Sequence, residues 1–339
     1  MKTVAFKTLG CKVNQYETQL MRERLLAAGF ECVSAAGGAD VCIINTCTVT
    51  ERADSKSRWL IRHARRENPR ARVVVTGCYA ELDSDRINKV CPDLTVIKNS
   101  EKDKILEYVS VPVQPVVGAR HAVPLQLGQG VPLHGITAFE GRTKAFVKVQ
   151  DGCDNFCSYC KVPLVRGRSR SRPSEEIIPE IKQLIRGGFR EIVLTGICLG
   201  DWGRAAGLNL TDLLNEIEKS VPGDFRIRLS SIEPWYVTPG LIRVMARSKK
   251  ICAHLHIPMQ SGDDEILKKM NRHFTSTSFL NLINEIRLYM PDAAFTTDVL
   301  VGFPGETEGQ FNNTLRLLES TRPSRTHVFS FSKREGTAA

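Results

Sequence analysis

Apolar and polar positions along this 339-residue chain fall into two stretches of alternating short strands and amphipathic helices, with a segment of neither period between them. In the first stretch, apolar runs at 3–8, 39–45, 72–76 and near 94–98 predict strands. Between them, 16–28 sets Leu20, Leu25 and Leu26 near one helical face, and 52–66 does the same with Trp59, Ile61 and Ala64. Such alternation predicts an α/β domain with a mostly parallel sheet over residues 1–110. From 111 to 141 the pattern dissolves into Pro112, Pro115, Pro124 and Pro132 mixed with Gly118, Gly128, Gly130 and Gly135, which predicts a linker. In the second stretch, 142–339, strands are predicted at 144–149, 191–194, 226–229, 253–257, 293–300 and 327–331. Helices are predicted at 174–186, 211–219, 238–246 and 306–319, the first with Ser174 as N-cap and Gly187-Gly188 as its stop. Six βα-type units predict an open, partial (β/α)6 barrel, whose functional loops follow the C-terminal ends of its strands.

Composition narrows the class. Hydrophobic residues at 42% and charged residues at 25% are ordinary for a soluble globular protein. No apolar run approaches the ~18 residues that a membrane span needs, and the N-terminus lacks the apolar core of a signal peptide. Eleven cysteines, an odd number in a chain this long, read as reduced thiols and metal ligands of a cytoplasmic protein, not as a secreted disulfide framework. The net charge of +10 is spread over both stretches and fits a polyanionic partner such as RNA.

Candidate chemistry centres on the cysteines. Cys153, Cys157 and Cys160 sit within eight residues, directly after the first strand of the predicted barrel. Three thiolates at that spacing hold three corners of an iron–sulfur cube and leave one iron open for a substrate or cofactor. A zinc site is the alternative, but zinc normally takes four protein ligands, often from two CxxC pairs, and no second pair exists. Cys11, Cys47 and Cys78 lie far apart in sequence, yet each follows an apolar strand of the first domain, and strand ends of one polarity share an edge in a parallel sheet. Gly10 and Gly77 would let the backbone approach a bulky inorganic ligand. Cys42 reads as a buried inert thiol, Cys32, Cys91 and Cys252 as structural, and Cys198 as lining the barrel mouth without binding metal.

These features resemble the methylthiotransferase family of radical S-adenosylmethionine (SAM) enzymes. The matching stretches are Thr8-Leu9-Gly10-Cys11-Lys12-Val13-Asn14, Asn45-Thr46-Cys47-Thr48-Val49-Thr50, Thr76-Gly77-Cys78-Tyr79-Ala80 and the Cys153–Cys160 loop. Further ones are Arg166-Gly167-Arg168-Ser169-Arg170-Ser171-Arg172, Leu229-Ser230-Ser231-Ile232-Glu233-Pro234, His256-Ile257-Pro258-Met259-Gln260-Ser261-Gly262 and Val301-Gly302-Phe303-Pro304-Gly305-Glu306. The resemblance spans essentially the whole chain. It implies an N-terminal Rossmann-like parallel α/β domain, a radical SAM partial (β/α)6 barrel, two [4Fe–4S] clusters and SAM.

By that resemblance, the cluster on Cys153, Cys157 and Cys160 would cleave SAM to a deoxyadenosyl radical. The cluster on Cys11, Cys47 and Cys78 would carry the sulfur, and a second SAM would give the methyl group. Tyr159, Ser231, Glu233, Gly302, Phe303 and Gly305 are the expected SAM neighbours, and no further catalytic group is implied. Arg166, Arg168, Arg170 and Arg172 are candidates for RNA phosphates, the alternative being a solvated basic face. The family often has Asn or His at the position of Cys198, so that residue is given no SAM contact.

The substrate branch is read from Leu9–Glu17, which looks like the branch acting on N-threonylcarbamoyladenosine next to the anticodon of tRNA. Isopentenyladenosine in tRNA and a ribosomal-protein aspartate are the alternatives within the family; a non-enzymatic iron–sulfur or RNA-binding protein leaves the cysteine loop unexplained. An electron-donor protein and a sulfur source are the other implied partners. The family normally continues into a small RNA-binding β-barrel, of which these residues show no all-β pattern; weak tRNA binding is the expectation for a chain lacking it.

Overall fold

The structure, a computed structural model, describes residues 2–339 except 35, 83, 92, 93 and 111–134. Most of the expected linker therefore lies outside the described residues. The chain forms two compact units, one of Met1–Ile136 with Leu164–Arg166, the other of Thr137–Pro163 with Gly167–Ala339.

In the first unit, β1 (Thr3–Thr8), α1 (Lys12–Ala27), β2 (Glu31–Cys32), β3 (Val41–Thr46), α2 (Glu51–Glu67) and β4 (Arg72–Gly77) are followed by α3 (Cys78–Leu82), α4 (Ser84–Val90), β5 (Thr95–Val96) and α5 (Ile105–Ser110). All five strands pair in parallel, in the order β2-β1-β3-β4-β5. Strand β3 is buried along its whole length. Because successive strand residues point to opposite faces, Cys42 and Ile44 join one core with Val73, Val75 and Ile61, while Val41 and Ile43 join another with Val74, Met21 and Leu25.

Helix α1 starts four residues earlier than its apolar spacing suggests, with Cys11 at its N-cap. Two expected core positions are corrected. Leu26 is 46% exposed and Trp59 is 51% exposed, because the buried face of α1 ends on Met21 and Leu25 and that of α2 is built from Asp54, Ser57, Ile61 and Ala64. The Thr50 hydroxyl accepts from the Ala53 N–H at 3.2 Å and fixes where α2 begins.

The second unit alternates strands and helices in the order β6 (Ala145–Lys148), β7 (Gln150–Asp151), α6 (Val162–Arg166), β8 (Arg170–Ser171), α7 (Ser174–Arg186), β9 (Glu191–Thr195), α8 (Leu210–Ser220) and β10 (Arg226–Leu229). It continues with α9 (Pro239–Arg247), β11 (His254–His256), α10 (Asp264–Lys269), α11 (Ser276–Tyr289), β12 (Ala294–Val301), α12 (Glu308–Thr321) and β13 (Arg325–Ser330). The last three residues of α6 belong to the first unit. Strands β6, β9 and β10 form one parallel sheet and β11, β12 and β13 another. Bridges at Ile227–Ile251 and Ser231–His256 join β10 to the β11 region, which gives six parallel strands in sequence order, the partial barrel expected. Ser174 is the first residue of α7, not its cap; Pro173 holds the cap position with no side-chain bond, and Gly187 and Gly188 end the helix as expected.

Candidate functional site

In the first unit, Cys11, Cys47 and Cys78 follow β1, β3 and β4, three neighbouring strands, at their carboxyl ends. Sheet order therefore accomplishes what sequence spacing does not. The Asn14 amide donates to the carbonyls of Leu9 at 2.7 Å and Thr46 at 3.0 Å, tying the Cys11 loop to the Cys47 loop. The Asn45 amide returns a bond to the Asn14 carbonyl at 2.9 Å. The backbone leaves no room for side chains here. A Cβ on Gly10 would lie 3.0 Å from Cys47 Cβ and 3.2 Å from its Sγ, and one on Gly77 would lie 2.3 Å from the Thr46 carbonyl oxygen. Both glycines hold positive φ, 106° and 102°.

Cys11 lies close enough to Cys78, and Cys47 to both Cys78 and Cys11, for their charges to interact. Burial pushes Cys47 up to about 11, whereas Cys11 is open to solvent, with Arg166 nearby. Buried Asn45 Oδ1 and Thr76 Oγ1 have no hydrogen-bond partner among the described residues. Three free thiols and a cradle formed by two glycines suit a thiolate-bound cluster. Cys11 and Cys47 also lie just ahead of α1 and α2, where the helix dipole favours negative charge.

In the second unit, the loop after β7 carries Cys153, Cys157 and Cys160. Gly152, at φ 75°, passes so close to the following turn that a Cβ would fall 2.0 Å from the Arg168 carbonyl oxygen. The Gln150 amide donates to the Gly152 carbonyl at 2.8 Å and to Ser169 Oγ at 3.0 Å, while its oxygen accepts from the Cys198 N–H at 2.8 Å. On the far side, the Asn271 amide donates to the carbonyls of Asn155 at 3.0 Å and Phe156 at 3.1 Å. The loop is thus held from β7, from β9's following turn and from the end of α10.

Its three sulfurs differ. Cys153 is pulled below the usual thiol value, chiefly by a hydrogen bond from the Cys198 thiol. Cys157 is raised by burial, with Arg272 opposing, and burial pushes Cys160 up to about 12. Cys198 is itself buried, its Sγ accepts from the Asn155 amide at 3.4 Å, and its thiol lies beside the Cys153 thiol without a disulfide.

Of the expected SAM neighbours, Tyr159 and Phe303 pack with Ile266, Met270 and Leu300, and Ser231 lies exposed beside β11. Glu233 accepts from Arg272 Nη2 at 2.5 Å. Gly302 and Gly305 hold positive φ, 73° and 78°, but the Gly302 N–H is already bonded to Glu306 Oε2 at 2.6 Å. Buried Ser230 Oγ and Arg272 Nε have no hydrogen-bond partner among the described residues, which leaves polar capacity for a bound cofactor beside Ser231 and Glu233.

The expected RNA-binding arginines divide. Arg166 is 5% exposed, donating to Glu17 and Asn14, and Arg172 donates to Glu180 Oε2 at 2.8 Å and the Lys148 carbonyl at 2.7 Å. These two are structural cations, and the expectation of phosphate contact is corrected for them, since their donors are taken by carboxylates and carbonyls. Arg168 and Arg170 are exposed, the former beside Asp154 at 3.2 Å.

Sequence reasoning missed Arg272 and the trio His256, Asp298 and His327. Arg272 lies between the rings of Trp235 at 5.0 Å and Phe274 at 5.4 Å, 3.9 Å from Cys157 Sγ. Its only sequence signal is a lone Arg at the close of a short helix. His256 Nε2 donates to one oxygen of Asp298 and His327 Nδ1 to the other, each at 3.1 Å. Their donor atoms lie within 4.8 Å of one another. The opposite face of β12 carries Phe295 against Phe279 of α11, so the trio faces the inside of the barrel. Strand alternation combined with the register of β11 to β13 is the signal that would have found it.

A partial barrel of six parallel strands, with three cysteines in the loop after the first, defines the radical SAM class. A family model described as Radical SAM superfamily matches residues 147–318, and one described as Uncharacterized protein family UPF0004 matches residues 3–98. The threonylcarbamoyladenosine tRNA methylthiotransferases MtaB of Thermotoga maritima and Bacillus subtilis are 41% and 43% identical, over all of this chain and 77% and 75% of theirs. The tRNA-2-methylthio-N(6)-dimethylallyladenosine synthase of Carboxydothermus hydrogenoformans is 38% identical over 98% of this chain and 77% of its own. Among solved structures, the radical SAM methyltransferase TsrM of Kitasatospora setae superposes with a TM-score of 0.67 at 14% identity, covering 97% of this chain and 73% of that one, a likeness of fold. The chain belongs to the tRNA methylthiotransferase family of radical SAM enzymes.

Proposed function

We infer that this enzyme methylthiolates N-threonylcarbamoyladenosine in tRNA, at C2 of the adenine next to the anticodon. The observation that carries the reading is full-length similarity to threonylcarbamoyladenosine tRNA methylthiotransferases, in a chain that assembles two separate trios of free cysteines. The enzyme uses SAM and two [4Fe–4S] clusters, which when bound supply one-electron cleavage of SAM, the sulfur and the methyl group.

The chain's own residues place these groups. Cys153, Cys157 and Cys160 would hold one cluster and Cys11, Cys47 and Cys78 the other, each trio leaving an iron without a protein ligand. Cys198 donates to Cys153 and favours its thiolate, the form that binds metal. The ion pair of Glu233 and Arg272 presents a carboxylate and a guanidinium at 22% and 1% side-chain exposure, so Glu233 is the half that reaches a cofactor's amino group. Ser231 lies next to it, and the turn Gly302–Gly305 offers backbone groups other than the Gly302 N–H. Tyr159 and Phe303 form the apolar floor that excludes water. Arg168 and Arg170 remain as RNA contacts from the basic run.

No helix among the described residues is long and apolar enough to cross a membrane. We place the enzyme in the cytoplasm, with an electron-donor protein and a sulfur source as partners. The test is expression in a strain lacking its own methylthiotransferases, followed by mass spectrometry of tRNA nucleosides. Methylthio-threonylcarbamoyladenosine is expected; a methylthio group on isopentenyladenosine alone would overturn the choice of substrate.

A further inference from the structure

One face of α2 carries Arg52, Lys56, Trp59, Arg62 and Arg66, all solvent-exposed and spaced by three or four residues. At 1.5 Å per residue they form a stripe about 21 Å long. An exposed helix normally intersperses both signs of charge, since Glu–Lys pairs at that spacing stabilise it. Here the four cations make no ion pair among the described residues. The carboxylates of α2 lie elsewhere. Asp54 is buried, Glu51 is at the first turn, and Glu67 bonds Lys7 at 2.5 Å and His63 at 3.3 Å. The opposite face is fixed in the core through Ser57, Ile61 and Ala64, so the helix cannot turn its cations inward.

Trp59 is the second, independent observation. Its indole is half exposed and lies nearly flat on the His63 ring, with centroids 4.6 Å apart and planes 16° from parallel. An exposed indole backed by a second ring is a preformed stacking platform, and cations around a stacking platform suit single-stranded or looped nucleic acid.

We propose that this face of α2 is a docking surface for tRNA, with the four cations on backbone phosphates and Trp59 under an unpaired base. The surface extends the tRNA reading above and rests on it for the identity of the polyanion. Phosphate contacts of this kind are independent of sequence, so the stripe adds affinity and orientation and leaves the choice of nucleoside to the barrel.

The experiment measures binding of purified tRNA carrying threonylcarbamoyladenosine by fluorescence anisotropy, from 50 to 200 mM salt, over which the Debye length falls roughly twofold. One variant combines Arg52→Gln, Lys56→Gln, Arg62→Gln and Arg66→Gln; a second is Trp59→Ala. Losing four phosphate contacts should reduce the steepness of log affinity against log salt by about 3, and losing the platform should weaken binding roughly tenfold with little change of slope. Iron content and tRNA-independent formation of deoxyadenosine should match wild type, which shows that the variants fold. Wild-type affinity and slope in both variants would overturn the surface even where tRNA is still methylthiolated. Weakened binding by both variants, with wild type yielding no methylthio nucleoside, would uphold the surface and overturn the function.

Discussion

Arg166 and Glu17 form a buried ion pair, with Nη1 2.8 Å from Oε1 and Nη2 3.1 Å from Oε2. Lys102 shares the same carboxylate at 2.6 Å, and the three side chains are 2%, 8% and 9% exposed. Two cations thus depend on one anion beside the Cys11 loop, and burial already pushes the Lys102 amine down. Removing the carboxylate leaves both uncompensated, a change that costs on the order of 3–5 kcal/mol for a buried pair. Glu17→Gln is therefore expected to lose about that much stability in urea unfolding at neutral pH. A loss below about 1 kcal/mol would show that the pair is not what anchors this loop.

The hydrogen bond from Cys198 predicts an order of reactivity in the metal-free protein. Cys153 is depressed by that bond, whereas burial raises Cys157 and takes Cys160 to about 12. The thiolate is the nucleophile, so at neutral pH Cys153 should be alkylated by iodoacetamide first and Cys160 last. Cys198→Ala removes the donor, and Cys153 should then react more slowly at the same pH. Peptide mass spectrometry over time reads both effects; a Cys153 rate unchanged by Cys198→Ala would sink the assignment.

Two separate cysteine trios predict separable loss of iron. With both loaded, the chain should hold roughly eight irons, four on each trio. Changing Cys153, Cys157 and Cys160 to Ala should leave about half and abolish deoxyadenosine formation from SAM. Changing Cys11, Cys47 and Cys78 should also leave about half, with deoxyadenosine still detectable. A folded triple variant that retains no iron would refute independent sites.

The strand and helix pattern was legible because the sheets of both units are parallel and, β13 apart, largely buried, which makes their strands short apolar runs between amphipathic helices. The Cys153 loop was legible from local spacing alone. Convergence of Cys11, Cys47 and Cys78 needed the further assumption that their strands are neighbours, and the order β1-β3-β4 supplies it. What was not legible came from partners distant in sequence. Arg166 looks like part of a basic surface run until Glu17, 149 residues earlier, is placed against it. Arg272 has no local motif, and its role follows only from Glu233, Trp235 and Cys157 surrounding it. Trp59 was misplaced because a helical face can be drawn through it, although Ser57 and Asp54 are the residues turned inward.

Inside the barrel, Asp298 gives a pH-dependent prediction whose sign is fixed by its neighbours. Burial opposes its charge, but bonds from His256 and His327 outweigh this and hold the carboxyl below its ordinary value. A carboxyl whose folded pKa lies below its unfolded one contributes stability above the unfolded value, near 3.9, and loses it as pH falls through the folded one. Asp298→Asn removes that contribution. The stability gap between wild type and variant should therefore be widest and level above about pH 5, then close as the pH drops below about 4. Urea unfolding across that range measures it. A gap that widens on acidification would mean that Asp298 is held protonated in the folded barrel, contrary to its two imidazole donors.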